Sequence, residues 1–346
     1  MIKDSIKKNL PAFIFNRLRD SKHKVVLFFA FYYDFKRYYY YSSSRRRDKK
    51  TKLKAEIVRG YHVIEKGLTM PFPRLGFGQE RILILINNCE KYYLNFTQND
   101  LQIDHALSVI NEYKAFHESE NYSLPDSLSF KIDKLLEMTG CTQRCDQLRV
   151  SKEEYFKHKN GAYPLFSNSR SSVRNYVREN NVPIEKILDS LELARNTPSA
   201  CNRQPVRVYI FTDKAKIDKI LDLQGGNRGF GQLTNKLLIV TSDIAVFFNS
   251  PERNEAFIDG GMYAMNVLYA LHHQEIAACT LNCSHTPKKD REMRELCEIK
   301  KSEIFICMIS CGIPPDHFSI ACSKRNDLDQ IVQINNQVFN KASIKY

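Results

Sequence analysis

The sequence predicts an α+β protein with a central β-sheet sandwiched by helices and a helical N-terminal extension. From about residue 165 the apolar pattern alternates between helical and strand-like segments, whereas residues 55–150 carry mostly helical patterns. The 346 residues are 43% hydrophobic and 26% charged, which is typical of a folded protein with a sizeable core. We therefore divide the chain into an arm (1–54), a helical region (55–164), an α+β region (165–335) and a tail (336–346).

Each element follows from a local pattern. Helices are predicted where apolar residues recur with a 3.6-residue period, at Arg81–Tyr93, Leu101–Ser119, Leu128–Met138, Ile184–Asn196 and Phe257–His273. Strands are predicted at short, continuous apolar runs, namely Val206–Thr212, Leu237–Val240, Ala277–Asn282 and Ile304–Cys311. Gly260, Gly261 and Ala264 should let the last helix pack closely.

The positive charge of the chain is concentrated in the arm. The net charge is +13, but residues 1–54 hold 16 basic and 4 acidic side chains, so the remainder carries only +1. In the arm, Lys22, Lys24, Lys36 and Arg37 flank the apolar and aromatic runs Val25–Tyr33 and Tyr38–Tyr41. This composition suits an anionic membrane surface, nucleic acid, or a solvated helical arm packed on the body. The near-neutral body argues against a broad nucleic-acid interface.

The ten cysteines do not follow a metal-binding or disulfide pattern. They are too sparse for a disulfide scaffold, and their spacing lacks the paired C-x-x-C of a structural zinc site. We expect no metal site and reduced thiols, and hence a cytoplasmic protein that could lie peripherally at the inner face of the membrane. The longest apolar stretch is too short to span a bilayer.

Two segments contain polar and charged residues in patterns suited to ligand binding. Arg170-Ser171-Ser172-Val173-Arg174 offers two cations and two hydroxyls, which is what a phosphate monoester requires, although a surface turn would look the same. Between a predicted helix and strand lies a proline-bounded loop, Pro198-Ser199-Ala-Cys-Asn202-Arg-Gln204-Pro205. Its amides could hydrogen-bond the edge of a flat heteroaromatic ring, or simply cap the connection.

In this order, the segments resemble the nitroreductase family of flavoproteins. That family carries an R-[RH]-S-x-R motif, in which Ser171 here replaces the second cation, and a P-S-x-x-N-x-Q-P loop that is matched in full. Ser310–Pro314 is similar to the family's G-[YIF]-P turn. Lys324-Arg325 resembles its K-x-R tail, with Ser323 at the usual lysine position and Lys324 one residue later. The resemblance covers about 165–335.

The resemblance implies an FMN enzyme that is usually a homodimer with flavin at the subunit interface. NADH or NADPH would reduce the flavin, which would then reduce a small-molecule acceptor in a ping-pong cycle. Residues implied to bind the cofactor are Arg170, Ser171, Ser172, Arg174, Pro198, Ser199, Asn202, Gln204, Lys324 and Arg325. The family often places Trp after the Gln-Pro pair, where this chain has Val206.

The helical region contains a further sequence motif, Tyr61–Leu68 followed by Arg74–Gly78. It resembles a segment of longer nitroreductase-like proteins associated with bacterial polysaccharide synthesis. Within it, His62 and Glu65 fall at helical spacing, so Glu65 could orient His62 as a proton donor. A surface ion cluster would give the same pattern. The alternative to an enzyme is a flavin-binding scaffold or redox sensor that has lost turnover.

Overall fold

The computed structural model describes residues 11–42, 50–96, 100–145, 147–335 and 337–338. The basic run at 43–49 and nearly all of the predicted tail, 336–346, lie outside these residues. The N-terminal part of the described chain is helical throughout. Its helices are α1 (Ala12–Tyr41), α2 (Lys50–Leu68), α3 (Gln79–Asn95), α4 (Leu101–Ser119) and α5 (Asp126–Thr139).

Helix α1 forms most of the predicted arm and is largely exposed. Twelve of its apolar or aromatic side chains from Val25 to Tyr41 rank among the exposed large hydrophobic residues, with Phe28 and Phe29 more than 60% accessible. A bidentate ion pair ties it to the body, since Arg253 Nε and Nη2 lie 2.6 and 2.9 Å from the Asp34 carboxylate oxygens. Among the described residues, none of the helices combines the length and apolar character needed to cross a bilayer.

Helices α2 to α5 share one apolar core. Their inward faces contribute fully buried side chains, which include Ile57, Ile64, Leu85, Ile110 and Ile132. The helices predicted at Arg81–Tyr93, Leu101–Ser119 and Leu128–Met138 are confirmed, with ends extended or shifted by one or two residues for the first and last. Because Glu65 and His105 lie on faces of α2 and α4 that meet within this bundle, polar groups are also brought inside it.

A four-stranded antiparallel sheet follows, in the order β2-β3-β5-β4. Its strands are β2 (Val206–Phe211), β3 (Lys236–Asp243), β4 (Ala277–Asn282) and β5 (Glu303–Gly312). All four strands predicted from sequence are present. Cys307 and Cys311 are buried in β5, as expected for small apolar residues in a central strand.

Helices cover both faces of this sheet. Side chains alternate along β3, so Leu237 and Ile239 belong to one core while Leu238 and Val240 belong to the other. The helices on the Leu238 side are α8 (Ile184–Ala194) and α10 (Glu255–His273), and those on the Leu237 side are α9 (Lys214–Gln224) and α11 (Pro287–Cys297). The chain thus has the predicted α+β fold, a sheet sandwiched by helices with additional helices at the N-terminus.

One short pair of strands connects the N-terminal helical part to the C-terminal part of the chain. Strand β1 (Leu148–Ser151) pairs antiparallel with β6 (His317–Ile320), and the brief helices α6 (Lys152–Phe156) and α7 (Tyr163–Ser169) follow β1. Farther on, β7 (Gln333–Ile334) pairs with β8 (Gln337–Val338). The β1–β6 pair places the segment ending at Gln147 beside the segment that starts at Ala321, although they are far apart in sequence.

Helix α10 approaches the sheet closely at one glycine. A Cβ atom on Gly260 would lie 2.5 Å from Ile306 Cγ1 of β5, which no real contact allows. Ala264 is buried on the same face, whereas Gly261 has no atom within 4 Å of its Cβ position and is exposed. The prediction of close packing is therefore correct for Gly260 and Ala264 and wrong for Gly261, because Gly261 faces away from the sheet.

Comparison of two alanine variants tests this packing. Gly260→Ala should lower the free energy of unfolding by about 1–3 kcal/mol, since the added methyl group displaces Ile306. Gly261→Ala gains the same helix propensity without the clash and should be neutral or stabilising by up to about 1 kcal/mol. Urea unfolding followed by circular dichroism measures both. Equal stability of the two variants would contradict the close approach.

Candidate functional site

A cavity of about 350 Å³ lies where three segments of the chain meet. Helix α2 supplies Val58, Tyr61 and His62; the other walls are residues 170–174 and residues 321–325. The sequence-predicted residues Arg170, Ser171, Ser172, Arg174, Lys324 and Arg325 therefore come together, and His62 lies beside them.

The charge of this cavity is strongly positive. Four of its lining side chains are cationic (Arg170, Arg174, Lys324 and Arg325), and none of the described residues that line it is a carboxylate. Burial, and then the charge of Arg174, lower the pKa of the neighbouring Lys66. Arg170 Nε is buried and has no hydrogen-bond partner among the described residues. A buried donor without a partner costs free energy, so an anion with an acceptor atom at this position would stabilise the site.

The segment of residues 170–174 is held by contacts on both sides. Tyr155 Oη donates to the Ser171 carbonyl at 2.7 Å and accepts from the Ser171 amide at 3.2 Å. The Val173 amide donates to the Ala278 carbonyl of β4 at 3.1 Å. These bonds hold the backbone of the segment in place, and with it the side chains of Arg170, Ser172 and Arg174 at the wall of the cavity.

Beneath the cavity lies a buried carboxylate, Glu65, that binds two histidines. Its Oε2 lies 3.0 Å from His62 Nδ1 and its Oε1 lies 2.8 Å from His105 Nε2, while the Ser323 amide donates to Oε1 at 3.3 Å. Burial alone would raise the pKa of Glu65, but the hydrogen bonds from His105 and His62 outweigh it and hold that pKa at about 2. Glu65 is thus ionised at neutral pH and orients the His62 imidazole.

A second set of polar contacts connects α4 to the loop after β6. Gln102 accepts from the Tyr61 hydroxyl, and its Nε2 donates to Asn326 Oδ1 at 2.8 Å and to the Lys324 carbonyl at 3.3 Å. Tyr61 and Gln102 were not predicted as site residues. The sequence signal available was the adjacency of Tyr61 to His62; nothing local marks Gln102.

Two thiols also lie here, Cys145 and Cys322. A hydrogen bond between them raises the pKa of Cys145 and lowers that of Cys322. Gln147 holds the pair, because its Oε1 accepts from the Cys322 amide at 3.1 Å and its Nε2 donates to the Cys145 carbonyl at 3.1 Å. Cys145 Sγ lies 3.9 Å from His105 Nε2.

The proline-bounded loop lines a different, smaller cavity of about 170 Å³. Pro198, Ser199, Gln204 and Pro205 form one wall, and Asp259 and Tyr263 of α10 form another. The Gln204 amide donates to Ser199 Oγ at 3.0 Å, and Gln204 Nε2 donates to Asn202 Oδ1 at 3.1 Å. Asn202 and Gln204 both have left-handed backbone (φ 54° and 49°), so the loop holds a strained, specific shape.

The structure does not bring these two predicted segments together within one chain. The loop is fixed to the N-terminal end of α10, where the Asp259 carboxylate accepts from the Ala200 amide at 3.2 Å. The other segment is fixed near the C-terminal end of α10, where Ser169 Oγ lies 2.8 Å from His272 Nε2. At 1.5 Å per helical residue, these anchors are about 20 Å apart.

Comparison with known proteins supports the sequence resemblance. A model described as the nitroreductase family matches residues 168–227, a span that includes both motifs but less than half of the chain. No curated protein matches this chain.

Three solved structures illustrate the likeness, each covering 49% of this chain. A provisionally assigned NADH oxidase from Clostridium acetobutylicum is 24% identical over 98% of its own chain (TM-score 0.42). An FMN-dependent nitroreductase from Clostridium difficile R20291 is 19% identical over 98% (TM-score 0.41). A provisionally assigned nitroreductase in complex with FMN from Desulfovibrio desulfuricans is 20% identical over 94% (TM-score 0.41).

The buried His272 beside Arg170 should make stability depend on pH. Burial, and then the charges of Arg170 and His273, lower the pKa of His272 to about 4. The unfolded chain, with a histidine pKa near 6.5, binds the proton first. The stability gained by keeping His272 neutral in the fold is complete above pH 6.5. It is lost as the pH falls toward 4, and the free energy of unfolding drops by up to about 1.4 kcal/mol per pH unit. In denaturant melts between pH 7.5 and 4.5, His272→Phe should remove this part of the slope.

The exposed His317 provides the control for that measurement. His317→Gln should leave the pH slope as in the unmodified protein. An unchanged slope in His272→Phe would show that this imidazole is not held neutral by the fold.

Proposed function

We propose that this chain is an FMN-dependent oxidoreductase of the nitroreductase family that uses NADH or NADPH to reduce a small-molecule acceptor. The observation that carries the proposal is the cation-lined cavity, where Arg170 Nε is buried with no hydrogen-bond partner in the described part of the chain. The match of the nitroreductase family model to the residues around it supports the same conclusion.

The donor set of this cavity fits the phosphate of FMN. Arginines 170 and 174 offer planar, charged donors, Ser172 offers a hydroxyl, and Lys324 and Arg325 close the opposite side. No carboxylate of a described lining residue competes for these cations. A phosphate dianion would satisfy the orphan Arg170 Nε and offset the mutual repulsion of the four positive charges.

We further propose that the complete site needs two chains. The loop that would meet the flavin ring lies about 20 Å along α10 from the phosphate residues, which exceeds the reach of a five-carbon ribityl chain. Helix α10 also exposes Phe257, Ile258 and Met262, at 52%, 53% and 40% of their surface. Two antiparallel copies of α10 would cover these side chains and bring each loop to the other chain's cavity.

The protein residues around the site would bind and orient the cofactor and the acceptor, and one of them would supply a proton. Bound FMN supplies the hydride chemistry. The ring edge would meet Ser199, Asn202 and Gln204 from the loop. With its Nδ1 directed at the ionised Glu65, His62 keeps its Nε2 for the cavity that it lines, so the imidazolium form could donate a proton there to a bound acceptor.

The flavin itself provides the main test. The purified protein should be yellow and release FMN on denaturation, and NADH or NADPH should bleach the flavin under anaerobic conditions. Arg174→Gln should weaken FMN binding about 10- to 100-fold, since a hydrogen bond to a charged group contributes about 1.5–3 kcal/mol. Asn202→Asp should weaken FMN binding as well, although Asn202 lies in the loop beside the other cavity, because the complete site would combine both segments.

The matched control is Arg178→Gln, four residues farther along and exposed, which should bind FMN normally. A colourless protein that takes up no added FMN would refute the proposal. Tight FMN binding without bleaching by either nucleotide would instead identify the scaffold or redox sensor. Normal binding by Asn202→Asp would refute the two-chain site.

For the arm we propose peripheral binding to an anionic membrane from the cytoplasmic side. Six cations lie along α1 (Arg17, Arg19, Lys22, Lys24, Lys36 and Arg37), interleaved with the exposed aromatic side chains. Such a helix suits the headgroup region, where aromatic rings and cations both find partners. The likeness of Tyr61–Leu68 and Arg74–Gly78 to proteins of polysaccharide synthesis suggests an acceptor made at that surface.

Vesicle sedimentation tests the arm. A chain lacking residues 1–49, which leaves the buried Leu53 of α2 in place, should no longer sediment with vesicles containing phosphatidylserine. Replacing Lys22, Lys24, Lys36 and Arg37 by Gln should weaken binding about 10²- to 10³-fold, at about 1 kcal/mol per cation. Purely zwitterionic vesicles are the control. Equal sedimentation of the shortened and full chains would refute the proposal.

A further inference from the structure

We propose that Glu65, His105, Cys145 and Cys322 form a zinc site that fastens the loop of residues 321–325 to the helical N-terminal region. The carboxylate, imidazole and thiol of the first three residues already lie within 4.8 Å of one another. The Cys322 thiol contacts the Cys145 thiol but lies outside this group of three, so it would have to move toward them to become the fourth ligand. The sequence-based expectation of no metal site was drawn from cysteine spacing, and these donors come from four separate segments.

The spacing of the donors is close to what zinc requires. Tetrahedral bonds of about 2.3 Å to sulfur and 2.0 Å to nitrogen or oxygen place a sulfur and a nitrogen about 3.5 Å apart, and a nitrogen and an oxygen about 3.3 Å apart. The Cys145 Sγ to His105 Nε2 distance is 3.9 Å, and the His105 Nε2 to Glu65 Oε1 distance is 2.8 Å. Shifts of about half an ångström in these distances would therefore suffice for Glu65, His105 and Cys145, and the Cys322 side chain would turn toward them to complete the tetrahedron.

The chemistry of the donor set favours zinc over other common cations. Thiolates, imidazoles and carboxylates are the ligand types that Zn²⁺ takes in proteins, whereas Mg²⁺ and Ca²⁺ require oxygen ligands. Binding would displace the two thiol protons to solvent and leave two thiolates on the metal, while the proton on His105 Nε2 would move to Nδ1 of the same ring or to solvent and leave a neutral imidazole as the ligand. Glu65 would coordinate through Oε1 and keep Oε2 for His62, so the contact between Glu65 and His62 is preserved.

The surrounding residues would hold the ligands in place. Gln147 contacts both cysteines, through the Cys322 amide and the Cys145 carbonyl. The next residue after Cys322 is Ser323, whose amide also binds Glu65. Such outer contacts orient the ligands of metal sites. A metal here would thus fix the start of the loop that carries Lys324 and Arg325 to the cavity.

Metal content of the full-length protein tests the site directly. The chain, expressed with zinc in the medium and purified under reducing conditions without chelator, should contain about one Zn²⁺ per chain by mass spectrometry. Cys145→Ser and Cys322→Ser should each lose most of it. After removal of zinc, added Co²⁺ should give the visible and near-ultraviolet bands of tetrahedral thiolate coordination, and these should be absent in Cys145→Ser.

Cys141→Ser is the matched control, because Cys141 is half-buried in the same segment but bonds only weakly to the Gln143 carbonyl, at 3.7 Å. It should keep zinc and cobalt binding. Should the ligand variants not fold, a chelator added to the unmodified protein should still lower its Tm. FMN content is read separately from visible absorption, so loss of zinc and loss of flavin are distinguishable.

Three results would overturn the proposal. One is a full chain that holds no zinc and gives no cobalt bands. Another is zinc content that is unchanged in both Cys145→Ser and Cys322→Ser. The third is a disulfide between Cys145 and Cys322 in the protein as purified, which would assign the two thiols to redox chemistry.

Discussion

The buried carboxylate of Glu65 is the interaction on which the site depends. It receives hydrogen bonds from His62 of α2, His105 of α4 and the Ser323 amide. A buried charge that lost any of these partners would be strongly destabilising, so the three segments must stay in contact. Their contact places His62 at the wall of the cavity and brings the following residues, Lys324 and Arg325, to its rim.

The cavity is therefore formed by segments from both the N-terminal helices and the α+β region. Residues 170–174 lie within the span that matches the nitroreductase family model, but the opposite wall comes from α2, which precedes it. The N-terminal helices thus contribute directly to the candidate site, and their core positions Tyr61 and Gln102 as well. This explains how a body with a net charge near zero concentrates four cations around one small volume.

Helix α10 sets the distance between the two halves of the proposed flavin site. One end holds the proline-bounded loop through Asp259, and the other holds the segment before residues 170–174 through the contact of His272 with Ser169. Gly260 lets the helix lie close against β5, while its outer face remains apolar and exposed. In the proposed dimer this same face provides both the subunit contact and the geometry of the site.

The sequence alone determined what depends on local patterns. Continuous apolar runs predicted the four central strands, and the two motifs indicated by residue type which side chains could bind a cofactor. Helix α11 was missed because only Met293 and Cys297 of its eleven residues are buried, which leaves too weak a pattern. Tertiary structure alone decided which motifs share a cavity, and it brought Cys145 to Cys322 and Glu65 to His105. Such contacts join distant segments through packing and burial, which leave no trace in local spacing.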